Sequence, residues 1–130
     1  MKTVIFDVQS PEETAANIKS LWTSDKPETA ARISFATPEL LFSVLSAERW
    51  VLLKVLLGAG PVSIQETARR AGRDVAAVYK DVKALLNAGV LDQAGGSIWF
   101  PFDRVKVEFL LEAPPADELM GALRQRRLPR

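Results

Sequence analysis

Residues Ser63 to Leu86, SIQETARRAGRDVAAVYKDVKALL, decide the reading of this chain. Counting from Ile64, a small residue stands fifth (Ala68), glycine ninth (Gly72), and apolar residues twelfth and fifteenth (Val75 and Val78). Ser63 with Glu66 makes a capping box for a first helix, and Gly72 falls where a helix closes on a left-handed residue. Asp74 then caps a second helix, predicted from Val75 to Ala88 and stopped at Gly89. Each position has a physical reason. Ala68 lets the two helices approach closely, Gly72 supplies the positive φ of the turn, and Val75 and Val78 anchor the second helix on the first.

That spacing is the helix-turn-helix pattern, and the neighbouring sequence extends it. Upstream, Pro38 opens a helical run through Leu45. Ser46 caps a further helix, Ala47 to Leu57, whose Trp50, Leu53, Val55, Leu56 and Leu57 supply core before Gly58-Ala59-Gly60-Pro61 stops it. Downstream, Val90 to Gln93 and Ser97 to Phe100 read as short strands on either side of Ala94-Gly95-Gly96, the composition of a tight hairpin. Helix, helix, tight turn, helix and hairpin, from Ser46 to Phe100, is the order of a winged helix-turn-helix, with the hairpin as its wing.

The ends add two extensions. Thr3 to Val8 is rich in β-branched residues, and Ser10-Pro11-Glu12-Glu13 caps a helix running to about Trp22, with Ala15, Ile18, Leu21 and Trp22 on one stripe. Arg32 to Ala36 alternates, placing Ile33 and Phe35 on one face of a short strand. Arg104 to Leu111 alternates more cleanly, with Val105, Val107, Phe109 and Leu111 opposite Arg104, Lys106 and Glu108. After Ala113-Pro114-Pro115, an amphipathic helix from Ala116 to about Arg124 carries Leu119, Met120 and Leu123. The expected class is α+β: a winged helix-turn-helix (37–111) with an N-terminal strand-helix-strand extension (1–36) and a short C-terminal helix with a basic tail (112–130).

Composition narrows the chemistry. The 130 residues contain neither cysteine nor histidine. This excludes disulfides, cysteine and histidine metal sites and histidine-dependent nucleophilic triads. The carboxylates Asp7, Glu12, Glu13 and Asp25 read as a strand end, a helix N-terminus and a loop rather than a metal site. No enzyme and no cofactor is expected. The longest apolar stretch, Trp50 to Ala59, is interrupted by Lys54 and is too short to span a bilayer, and MKTVIFDV lacks the pattern of a secretory signal. A cytoplasmic location is expected.

The net charge of +1 is unevenly spread. Leu41 to Val90 holds seven basic residues against four acidic, with Arg69, Arg70 and Arg73 inside five positions and Lys80 and Lys83 following. Such a cluster suits a phosphate backbone. On the second helix, Val75, Val78, Val82, Leu85 and Leu86 share the core face, with Tyr79 at its margin as a packing residue. The opposite face holds Ala77, Lys80 and Ala84, flanked by Ala76, Asp81, Asn87 and Arg73. Small residues there let the backbone enter a major groove while Arg73 and Lys80 reach bases or phosphates, and Arg69 and Arg70 serve the backbone. Asp81 is expected to pair with Lys80, Lys83 or a basic residue of the preceding helix. Residues Asp92 to Ser97 hold no lysine or arginine, so the wing is not expected to enter a minor groove.

The segments ISFAT (Ile33 to Thr37), LSAERWVLLKVL (Leu45 to Leu56), GRDVAAVYKDVKAL (Gly72 to Leu85) and WFPFDRVKVEF (Trp99 to Phe109) carry a resemblance. From Ile33 to Leu111 the chain resembles a family of small prokaryotic transcriptional regulators related to MarR-type winged helices. Members look like the antitoxin halves of toxin-antitoxin pairs, notably partners of TumE-type toxins. The resemblance implies two tasks, neutralising a toxin and repressing a shared operon. It places Arg73 at the turn and Ala76, Ala77, Lys80 and Lys83 on the recognition helix as DNA contacts. No toxin contact carries over, which leaves Met1 to Ala36 and Pro114 to Arg130 as candidate partner or dimer surfaces.

Two functions stay open at this point: a sequence-specific DNA-binding regulator acting as an autoregulating antitoxin, and a winged-helix protein interaction module without DNA binding. Duplex operator DNA and a homodimer are the expected partners of the first, because two-fold operators answer to two-fold proteins. Thr3 to Val8 and Arg104 to Leu111 are the expected dimer strands, with Trp22, Phe42 or Trp50 packed beneath. The apolar Trp22, Phe42 and Trp99 read as core rather than as an effector pocket.

Overall fold

The computed structural model describes residues 1–10, 12 and 30–113. In chain order these form β1 (Thr3–Val8), β2 (Ala31–Phe35), α1 (Pro38–Val44), α2 (Ala47–Leu56), α3 (Ile64–Ala71), α4 (Val75–Asn87), β3 (Asp92–Ala94), β4 (Ser97–Trp99) and β5 (Arg104–Glu108). The class is α+β. The helix expected up to Trp22 and the one expected from Ala116 to Arg124 lie outside the described residues.

Side-chain caps start each of these four helices among the described residues. Thr37, Ser46, Ser63 and Asp74 each accept a hydrogen bond from the backbone amide three residues on, satisfying one of the amides a helix start leaves orphaned. β1 lies in the middle of a three-stranded sheet, paired in parallel with β2 on one side and β5 on the other. The registers set Phe6 beside Ile33 and Val107, so Val4, Phe6 and Val8 share a face with Ile33, Phe35, Val105 and Val107. β5 is also pinned at its start, where the Asp103 and Arg104 amides both donate to the Lys2 carbonyl and the Lys2 amide donates to the Asp103 carboxylate at 3.0 Å.

One hydrophobic cluster joins this sheet to the helices. Val4, Phe6 and Phe35 are buried with Leu41 of α1, Leu52, Leu53 and Leu56 of α2, Val78, Val82 and Leu85 of α4, and Phe100. Phe6 is its hinge pin, with ring centroids 6.3 Å from Phe35 and 6.4 Å from Phe100. Strand β1 therefore completes the core of the segment that follows it. The sheet's other face is polar. Asp7, buried there, accepts from Arg32 Nη1 at 2.8 Å, from Gln9 Nε2 at 3.0 Å and from the Ser34 hydroxyl.

Two strand boundaries and one core assignment depart from the sequence reading by more than a residue's shift, each for a visible reason. β3 begins at Asp92 rather than Val90, because the Val90 and Leu91 amides turn back to the Leu85 carbonyl and finish α4. β5 ends at Glu108 rather than Leu111, because its partner β1 ends at Val8 and the Gln9 amide turns to the Phe35 carbonyl instead. Phe42, expected in the core, is 59% exposed and rests edge-on against Phe109. No helix among the described residues is long and apolar enough to cross a membrane.

Candidate nucleic-acid interface

The candidate surface is built from the α3–α4 pair. Thr67 and Ala68 of α3 are buried, and the Thr67 hydroxyl donates to the Ser63 carbonyl at 2.8 Å, so α3 presses a small, satisfied face inward. Gly72 closes α3 with φ 65° and ψ 35°, its amide pointing back to the Ala68 and Arg69 carbonyls. Only glycine takes this conformation at little cost, and a Cβ added there would meet nothing within 4 Å. The turn is thus set by backbone conformation rather than by crowding. Two residues later Asp74 starts α4, accepting from the Ala77 amide at 3.3 Å.

The basic residues divide into three groups. Arg69 and Arg70 both grip Glu66 within α3, Arg69 through its Nε at 2.8 Å and Arg70 at 2.9 Å, while Arg69 stays largely in solvent and Arg70 partly so. Those hydrogen bonds, Arg69's first and then Arg70's, hold the Glu66 carboxyl down to about 2 and raise Arg69 above its usual range. Arg73 points the other way. Its Nη2 meets Asp81 Oδ2 at 2.8 Å, its Nη1 reaches the Glu48 carbonyl at 3.4 Å, and only 23% of its side chain is exposed.

Asp81 also accepts from Arg49 Nε at 3.2 Å, and Arg49 Nη1 donates to the carbonyls of Ser43 and Val44. One carboxylate thereby ties α4 to α2 and to the α3–α4 turn. Its partners are Arg49 and Arg73, not Lys80, Lys83 or an arginine of α3. Arg49 escaped the sequence reading because it lies 32 positions from Asp81; the only signal available was an arginine near the start of a core helix.

The third group is Lys80 and Lys83. Both are exposed, and among the described residues neither has an ion-pair partner. Lys83 places its ammonium 5.8 Å from the centroid of the Tyr79 ring. The outward face of α4 is therefore Ala76, Tyr79, Lys80, Lys83 and Asn87, with Ala77 and Ala84 half-buried at its border. Compared with the expected face it is turned toward Tyr79 and away from Asp81. Val75, expected to anchor α4, is 45% exposed at the helix start, and Val78, Val82 and Leu85 do the anchoring.

The model of the HVO_A0114 family matches residues 44–107. This is just under half of the chain, from the last residue of α1 into β5, and it contains every basic residue of the candidate surface. The description names no ligand or activity. No curated protein and no solved structure matches the chain.

Within that matched segment the β3–β4 hairpin stands next to α3. The Val62 and Ile98 backbones exchange hydrogen bonds of 2.9 and 2.8 Å, adding the residue before Ser63 to the hairpin as a third short bridge. Its tip is the two-residue turn Gly95-Gly96, with Gly95 at φ 59°, the glycine-first geometry that matches strand twist. The exposed Asp92, Gln93 and Ala94 give the hairpin an acidic to neutral surface. A separate cavity of about 410 Å³ opens at the carboxyl ends of β1 and β5, lined by Asp7, Val8, Gln9, Glu108, Phe109 and Leu110.

Proposed function

We propose that Ser46 to Phe100 is a winged helix-turn-helix and that the chain is a sequence-specific DNA-binding regulator with α4 as its recognition helix. The observation that carries this reading is the free face of α4. Ala76 keeps the first turn slim enough for a major groove, and Lys80 and Lys83, without an ion-pair partner among the described residues, stand where a phosphate or a guanine edge would lie. Arg69 and Arg70 are second-rank contacts that can exchange Glu66 for phosphate, since both remain exposed. Arg73 serves by position, holding the α3–α4 turn to Asp81. The wing offers no lysine or arginine between Asp92 and Ser97, so it contributes backbone contact through the amides of its glycine turn rather than cationic groove insertion.

In this reading the protein works as a two-fold dimer on the DNA upstream of its own gene, in the cytoplasm. The resemblance adds a toxin as second partner, with Met1 to Ala36 and Pro114 to Arg130, outside the family-matched segment, as its candidate surfaces. A second reading, a winged helix turned protein-interaction scaffold, is favoured by the neutral hairpin and the inward Arg73.

Fluorescence anisotropy separates the two. The protein is titrated onto its own upstream duplex at two salt concentrations, against an unrelated competitor, beside Lys80→Ala. Competitor-resistant binding that falls with salt and with Lys80→Ala is expected, and loss of Lys80 should reduce the slope of log K against log salt by about 1 per protomer. Weak binding, equal for both duplexes and indifferent to Lys80, overturns the regulator and leaves the scaffold.

A further inference from the structure

Among the described residues the outer edge of β5 is free: no strand pairs with it. The Arg104 amide donates to the Lys2 carbonyl at 3.1 Å. By the two-residue period of a strand, the amides of Arg104, Lys106 and Glu108 therefore face β1, and those of Val105, Val107 and Phe109 face outward with their carbonyls. Along this edge Val107 is 40% and Phe109 38% exposed, and Phe42 stands uncovered against Phe109 with ring centroids 5.9 Å apart. An unpaired edge beside uncovered apolar side chains is a template for another strand.

We propose that this edge pairs, antiparallel, with the same edge of a second copy of the chain, about a two-fold axis passing at Val107. The inference rests on the dimeric reading above and names its surface. Residues opposite each other in an antiparallel pair share one hydrogen-bonding state, so the axis must fall on a residue and not between two. An axis at Lys106 sets that lysine against itself, one at Glu108 does the same with a carboxylate, and one at Val105 sets Arg104 against Lys106. Like charges directly opposite are destabilising. An axis at Val107 alone within β5 avoids them: Lys106 faces Glu108 of the partner subunit twice, Val105 faces Phe109 of the partner subunit, and Val107 meets its own copy. The outward amides and carbonyls then form about six backbone hydrogen bonds, and two three-stranded sheets become one of six. The charge pattern is complementary to itself, which selects a second copy over a foreign strand. At present Lys106 pairs within its own chain with Glu108 at 3.1 Å, an exposed contact that exchanges readily for the crossed one.

The test is the mass of the full chain in solution at micromolar concentration without DNA, by sedimentation equilibrium. Wild type is expected at two chains. Val107→Pro removes an outward amide and leaves the β1 pairing intact, as proline on an edge strand does, and is expected at one chain with unchanged far-ultraviolet circular dichroism. Lys106→Glu is expected to weaken the dimer about tenfold or more, and Lys106→Glu combined with Glu108→Lys to restore it; this charge exchange decides the matter if the proline variant unfolds. A wild-type mass of one chain, or a dimer indifferent to the charge exchange, overturns the proposal. Anisotropy on the same samples keeps the two readings apart: a dimer sensitive to these changes that ignores DNA refutes the regulator alone, and a monomer that binds DNA refutes the interface alone.

Discussion

Replacing Asp81 with alanine should cost more than any other change on the surface of α4. Its two oxygens hold Arg49 at 3.2 Å and Arg73 at 2.8 Å, and the three side chains are 16–24% exposed. Hydrogen bonds to charged groups contribute about 1.5–3 kcal/mol each when buried, and residual solvent around these three reduces that to roughly 1 kcal/mol apiece. Asp81→Ala should then destabilise by about 2 kcal/mol, which for a chain of this size lowers Tm by roughly 6–10 °C. Arg49 keeps two carbonyl partners after the change, whereas Arg73 keeps only the long contact to Glu48. A double-mutant cycle with Arg73→Ala should accordingly return a coupling of about 1 kcal/mol. Thermal melts followed by circular dichroism supply every number, with Lys80→Ala as the control expected within about 0.5 kcal/mol of wild type. A Tm shift below about 2 °C for Asp81→Ala would show that the carboxylate does not fasten α4, and the assignment of Arg73 to a positioning role would go with it. The same variant frees Arg73 and removes a negative charge beside the proposed DNA face, so in that reading non-specific duplex affinity should rise even as stability falls.

Gly72→Ala should lose roughly 1–2 kcal/mol from its left-handed φ alone, since its Cβ would meet no neighbour; denaturant unfolding checks this, and a neutral result would mean the turn relaxes. Glu66→Gln should release Arg69 and Arg70, tightening DNA binding several-fold and steepening its salt dependence, both read by anisotropy. The Glu66 carboxyl should titrate at about 2 by carbon-detected NMR, in Arg69's and Arg70's grip. Because the folded value lies below the unfolded one of 4.5, its contribution to stability is complete above about 4.5 and disappears as pH falls toward 2. A midpoint near 4.5 would mean both arginines are already free.

Local signals in the sequence carried much of the secondary structure. Capping serines, Asp74 and Gly72 act within four residues of where they stand, and the helices and their turn follow from them. Amphipathic period placed Val78, Val82 and Leu85 inward correctly. It failed at Val75 because the first turn of a helix overhangs its partner. Charge identity was legible but charge direction was not: the same cluster holds Arg73, drawn inward by Asp81, and Lys80, left outward, and only the packing of α2 against α4 distinguishes them.

The sheet was hidden for a related reason. Each strand was visible by itself, but the order β2-β1-β5 depends on pairing Thr3 with Arg104, about a hundred positions apart, and no local rule selects it. The family match ends at residue 107, inside β5, and leaves out β1. Yet β5 has no partner among the described residues except β1, and the fully buried Val4 and Phe6 belong to the core cluster shared with α1, α2 and α4. Each fully buried side chain of this kind contributes about 1.5–3 kcal/mol against a total of about 5–15 kcal/mol for a domain. The recurring segment and the folding unit are therefore different objects. The surface that faces DNA in the proposed function is encoded locally, and the strand that keeps it standing lies at the other end of the chain.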